Sequence, residues 1–176
     1  MPKPTPALIA SSRAKITHPR RSEPEQISWN EFKLDRMGRP EQYVPNTPNR
    51  FQKMKNGQVI QDNATGLMWE RNGSSKYMKY GAAQKYVKQL NWNRFAGYND
   101  WRLPTVDELT SLLTKTMQVG GLHISSVFGK KQRWCWSSDW NSSKFVWLFR
   151  FDDVSFVFRG GFNYSTGYVR AVRSRQ

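Results

Sequence analysis

Apolar positions recur along the chain in three patterns, two of which predict strands and one helices. Val59-Ile60 and Leu67-Met68-Trp69 are short apolar runs on either side of Asp62-Asn63-Ala64-Thr65-Gly66, which reads as strand, polar turn, strand. From Met78 to Leu90, Tyr80, Ala83, Val87 and Leu90 lie three and four apart. That is one helical stripe, with Lys79, Lys85 and Lys88 elsewhere on the wheel. Leu103-Pro104-Thr105-Val106-Asp107-Glu108 predicts a second helix start. Thr105 takes the N-cap, Glu108 completes a capping box, and Asp107 complements the positive end of the helix dipole. Val106, Leu109, Leu112 and Leu113 form its buried face, and Gly120-Gly121 is expected to close the helical stretch. Beyond residue 130 the spacing is two. Phe145, Trp147, Phe149 and Phe151 alternate with Val146, Leu148 and Arg150; Asp152-Asp153 supplies a turn; Val154, Phe156 and Phe158 alternate again. Tyr168-Val169-Arg170-Ala171-Val172-Arg173 predicts a last strand whose arginines, three apart, lie on opposite faces. Strands, two helices and then antiparallel strands make the fold class α+β.

Proline and charge divide the chain. Eight of nine prolines fall within the first fifty residues, with only Trp29, Phe32 and Tyr43 of the aromatics. Such a segment buries too little apolar surface to offset its ordering entropy. Residues 1–50 therefore read as a basic arm, extended or ordered by a protein partner, and 51–176 as the folded domain. The net charge is +15, from 28 Lys/Arg and 13 Asp/Glu. The arm holds nine basic and five acidic residues, the rest nineteen and eight, so +11 belongs to the folded part. That excess predicts a polyanionic partner: an acidic glycan, a nucleic acid or an acidic protein surface. The single cysteine excludes an intrachain disulfide and a Cys-cluster zinc site. No stretch approaches the ~18 apolar residues of a membrane span, and no apolar signal region follows the basic N-terminus.

Four separated motifs carry a resemblance. Asp62-Asn63-Ala64-Thr65-Gly66-Leu67-Met68-Trp69-Glu70, then Gly97-Tyr98-Asn99-Asp100-Trp101-Arg102-Leu103-Pro104-Thr105 with Glu108-Leu109, then Trp136-Ser137-Ser138, then Tyr168 to Arg173, occur in one order and spacing. Over roughly residues 51–175 the chain resembles the bacterial domain family typified by the C-terminal domain of the Legionella collagen-like adhesin. The resemblance implies a C-type-lectin-like fold, two helices packed on short twisted antiparallel strands, related to formylglycine-generating enzymes and to variable proteins diversified by retroelements. In the adhesin the domain is associated with sulfated polyanionic glycans. Secreted members often carry a cysteine in the first helix and another in the last strand; Val87 and Ala171 stand there in this chain. Loss of both suits a reducing compartment, so a cytoplasmic location, in a bacterium or phage, is expected.

Candidate chemistry is sparse outside the C-terminal third. Cys135, between Trp134 and Trp136, reads as a buried inert thiol. Formylglycine-generating enzymes depend on a cysteine pair, so their activity does not carry over, and no enzyme is expected. His18 and His123 lack a metal-ligand spacing, and Asp139-Trp140-Asn141 lacks the second triplet of a lectin calcium site. No cofactor or metal is expected. Asp100-Trp101-Arg102 reads as structural, fixing the loop that feeds the second helix. In the last third, Lys130, Lys131, Arg133, Arg150, Arg159, Arg170 and Arg173 interleave with rings, the pattern that suits phosphate or sulfate. Two readings stand: rings in the core under a solvated charged face, or cations and rings forming one binding face. The +11 excess favours the second, because solvated faces mix signs. Asp139, Trp140 and Asn141, with Phe162, Asn163 and Tyr164 of the Gly-flanked polar loop, are the expected ligand contacts. The function expected is a binding module for an acidic ligand or protein. The alternative is an accessory subunit of an intracellular nucleoprotein complex.

Overall fold

The computed structural model of the chain describes residues 22–27, 49–142, 145–158 and 165–174. Among these residues nine strands and two α-helices follow in the order β1 (Phe51–Met54), β2 (Val59–Asp62), β3 (Leu67–Glu70), α1 (Tyr80–Trp92), α2 (Val106–Ser111), β4 (Leu113–Gln118), β5 (Leu122–Ile124), β6 (Trp134–Ser142), β7 (Phe145–Arg150), β8 (Ser155–Phe158) and β9 (Val172–Ser174). The class is α+β, as the hydrophobic pattern predicts. One sheet has the order β1-β2-β3-β9, a second β6-β7-β8, and β4-β5 form a hairpin; all these pairings are antiparallel.

Each element has a local cause. The β2–β3 turn is held by the buried Asp62 carboxylate, which accepts from the Ala64 and Arg50 amides and the Thr65 hydroxyl. Helix α1 buries Tyr80, Ala83 and Val87. Helix α2 begins with both halves of the predicted capping box, Thr105 accepting from the Glu108 amide and Glu108 from the Thr105 amide. The second helix is shorter than expected. Gly120-Gly121 does not end it; both glycines have positive φ, +109° and +73°, and turn the β4–β5 hairpin instead. Leu113 faces the core from a strand, and the β-branched Thr114 and Thr116 beyond it favour extended backbone.

Strand β7 lies between two cores. Trp147 and Phe149 belong to a cluster with Ile60, Trp69, Leu109 and Leu112; Val146 and Leu148 belong to another with Tyr80, Val87, Trp101 and Trp136. Both faces of the predicted alternation are therefore apolar-packed, and only its end residue Arg150 is charged. Val87 and Ala171, where the resemblance places the cysteines of secreted members, share the second cluster. The segment 165–174 ties the sheets together, with Gly167 bonded to Met78, Tyr168 to Trp134 and Trp136, and Val172 to Arg102.

The arm is not wholly separate. Residues 25–27 run beside β6, with the Trp140 amide donating to the Glu25 carbonyl at 3.2 Å and the Ile27 amide to the Trp140 carbonyl at 2.8 Å. Ile27 is buried, and the Trp147 indole donates to its carbonyl at 3.2 Å. Over these residues the ordering partner is the chain's own domain.

Candidate functional site

The loop before β6 presents Lys130, Lys131 and Arg133, all exposed, and a buried arginine anchors it. Arg170 is fully buried. Its Nη2 donates to the Gly129 carbonyl and to Gln132 Oε1, both at 3.0 Å, and its Nη1 to the Glu70 carbonyl at 3.0 Å and to the Arg71 carbonyl. Gln132 is itself buried and donates to the Ser74 carbonyl at 2.9 Å. Burial draws the Arg170 guanidinium below its ordinary range, against the opposing pull of Cys135, Glu70 and Tyr86. Gly129 fits because its backbone lies close to Asn72; a Cβ there would stand 3.1 Å from the Asn72 Cα.

Rings flank this loop. Trp134 opens β6, with the Arg150 guanidinium 5.1 Å from its ring centre and Tyr77 edge-on at 6.4 Å. Tyr77, 47% exposed, lies against Tyr168 with ring centres 4.0 Å apart. Arg150 is committed locally, to Asp152 at 3.1 Å and Asp153 at 2.9 Å. Burial alone would raise the Asp152 carboxyl, but the hydrogen bonds and charge of Arg150 hold it below the ordinary value. The outward cations of this face are therefore Lys130, Lys131 and Arg133, and Arg133 is 3.9 Å from Asp152.

Several expected contacts lie elsewhere. Asp139 is fully buried, and its carboxylate accepts from the Glu25 amide at 2.9 Å and the Val106 amide at 2.7 Å. It pins the arm and the start of α2 and is closed to an outside ligand. Trp140 and Asn141 are half-buried beside residues 25–27, with Gln26 Nε2 donating to the Asn141 carbonyl at 3.1 Å. The two β9-segment arginines do not face solvent. Arg170 is the anchor just described, and Arg173 is 6% exposed, forked onto Asp100 at 2.6 and 3.0 Å with its guanidinium 4.0 Å from the Tyr98 ring centre. An arginine whose fork is filled inside the domain adds rigidity, not a polyanion contact. Arg159, Phe162, Asn163 and Tyr164 lie outside the described residues.

The Asp100-Trp101-Arg102 string is built into the frame: Asp100 takes Arg173, Trp101 is 2% exposed, and Arg102 forks onto the buried Glu108 at 2.6 and 2.7 Å. Cys135 is fully buried, and burial pushes its thiol up to about 12, which keeps it protonated and unreactive at neutral pH. No group of three or more His, Cys, Asp or Glu residues that could hold a metal occurs among the described residues. The sequence pattern did not single out Tyr77, whose ring lies against those of Trp134 and Tyr168. Nor did it reveal an open cleft of about 540 Å³ on the β1-β2-β3-β9 sheet, where Gln61, Met68 and Arg173 meet Tyr98 and Asn99.

The charge distribution follows from these placements. Among the described residues after 50, Asp62, Glu70, Glu108 and Asp139 are buried and Asp107 and Asp152 half-buried. The exposed Asp100 and Asp153 are each ion-paired to an arginine. Lys53, Lys55, Lys76, Lys79, Lys85, Lys88, Lys115, Lys130 and Lys131 are all exposed. Among the described residues after 50 the carboxylates are therefore buried, half-buried or paired, and the lysines are left outside. No helix among the described residues is long and apolar enough to cross a membrane. No curated protein matches the chain. Residues 58–173, from β2 through β9 and including the Arg170 anchor and its loop, match the Lcl C-terminal domain; on that match over most of its length, the chain belongs to the Lcl C-terminal domain family.

Proposed function

We propose that the chain is a non-enzymatic binding module with a C-type-lectin-like fold, and that it holds an acidic ligand on the basic, ring-flanked loop formed by Lys130, Lys131 and Arg133. The observation that carries this reading is the sorting of charge among the described residues after 50: carboxylates buried, half-buried or paired, lysines exposed, and a three-cation loop fixed from behind by a buried arginine. A fixed loop loses little entropy when a ligand docks, so its cations contribute more of their attraction to affinity. The family typified by an adhesin domain supports a binding role, and the single buried cysteine supports the absence of oxidase chemistry. Tyr77 and Trp134 add ring surface beside the cations, a combination suited to sulfate- or carboxylate-bearing ligands. The cytoplasmic location expected from the cysteine pattern belongs to the same proposal.

The test is a titration with a sulfated polysaccharide such as heparin. The triple variant K130Q/K131Q/R133Q is expected to weaken binding at least tenfold at 150 mM salt, with its melting temperature unchanged. K53Q/K115Q, which removes two exposed lysines elsewhere, is expected to weaken it much less. Equal losses in the two variants would reduce the face to nonspecific charge.

A further inference from the structure

We propose a second surface, independent of the loop above: the exposed side of α1 is a platform for single-stranded nucleic acid. Trp92, at the end of α1, is 85% exposed, the most exposed of the large apolar side chains among the described residues. Nothing in the core accounts for an indole held in water. Lys88 lies four residues before it and Lys85 seven, so all three fall along one side of the helix. That side spans about 10 Å between Lys85 and Trp92 at the ~1.5 Å rise per residue of a helix. Both lysines are exposed and make no ion pair among the described residues. Between Glu70 and Asp100 the chain carries six basic residues, Arg71, Lys76, Lys79, Lys85, Lys88 and Arg94, and no acidic one.

This composition selects its occupant. Lysine ammonium groups follow a phosphate backbone as point charges, and a projecting ring offers a face on which an unpaired base stacks. A duplex hides its base faces, so the ring favours single strands. An anionic bilayer would call for several large apolar side chains on the lysine side, and Gly81, Ala82, Gln84 and Gln89 are what α1 exposes besides Lys85, Lys88 and Trp92.

The experiment is fluorescence anisotropy of a labelled 30-nucleotide single strand of mixed sequence, and of its duplex, across 50–200 mM salt, with the full chain. The wild-type protein is expected to prefer the single strand, and its ribo and deoxy forms alike. W92A is expected to weaken single-strand binding roughly fivefold to a hundredfold and to abolish the preference, while W92F keeps most of both. K85Q/K88Q is expected to lower the slope of log affinity against log salt by about 1.4, or 0.7 for each lost phosphate contact on a single strand. Binding of dextran sulfate, a polyanion without bases, should not respond to W92A. The proposal is overturned if the wild type does not bind at 50 mM salt, if it binds duplex as well as single strand, or if W92A and K85Q/K88Q match it. An equal response of dextran sulfate to W92A also overturns it. All of these substitutions are at exposed positions, and an unchanged melting temperature confirms that each variant is folded.

Discussion

Replacing Arg170 by methionine tests how the fold holds its loop, and two large opposing effects decide the sign. Methionine ends the burial of a guanidinium, whose desolvation costs several kcal/mol. It also removes the donor from four acceptors. The Arg71 carbonyl keeps a partner, the Gly129 amide at 2.9 Å. The Gly129 carbonyl and Gln132 Oε1 have Arg170 as their donor, at 3.0 Å each. Each buried acceptor left unpaired costs about 1–3 kcal/mol, and the Glu70 carbonyl also loses a charged donor. Four acceptors around one fork mean that desolvation is largely offset in the native protein, so R170M is expected to lose about 3 kcal/mol. For a chain of this size that is a fall in Tm of about 6–12 °C. Urea denaturation should show a lower midpoint with an unchanged m-value, and amide exchange should accelerate in residues 129–133. R170K keeps the charge but cannot fork, and is expected to be at least as destabilised as R170M. A methionine variant as stable as the wild type would show that desolvation dominates and that the loop is not held by this arginine.

Four other outcomes follow from the same geometry. Thr105→Ala removes the hydroxyl that accepts from the Glu108 amide and should cost about 1 kcal/mol in urea denaturation. Gly73→Ala should cost more than 2 kcal/mol, because φ there is +60° and the new Cβ overlaps the Val169 carbonyl oxygen; the lowered midpoint is the check. Glu70 titrates above its ordinary 4.5, since burial outweighs the Tyr86 hydroxyl, the Ala171 amide and Arg170. The folded state then binds the proton more tightly than the unfolded one, so this group's contribution is present below pH 4.5 and is lost as pH rises through the raised value. Stability of wild type relative to E70Q should fall across that window, and a flat difference would contradict it. Cys135 should resist a maleimide reagent at pH 8 in the folded protein and react once urea unfolds it.

The elements were legible where one physical rule decided them. The stripe Tyr80, Ala83, Val87 and the capping box of Thr105 and Glu108 needed only periodicity and local hydrogen bonding. The end of α2 was not legible, because a Gly-Gly pair closes a helix or turns a hairpin equally well until the strand pairing of Leu113 with Ile124 is known. The site was half legible. Lys130, Lys131 and Arg133 stand where a charged run should, in water. Arg170 and Arg173 carry the same charge but sit among Val169, Ala171 and Val172, and their acceptors come from residues 70, 71, 100, 129 and 132. Partners so distant in sequence cannot be read from spacing. Asp139 misleads similarly: the Glu25 and Val106 amides that donate to it are brought there only by the fold.

The most direct measurement of the central claim is a lysine-acetylation footprint of the full chain with and without a saturating sulfated polysaccharide, read by mass spectrometry. If the ligand docks on the loop before β6, Lys130 and Lys131 lose reactivity several-fold while Lys53 and Lys115 change little. Uniform protection of all the exposed lysines, or protection that spares Lys130 and Lys131, would contradict a binding face built on that loop.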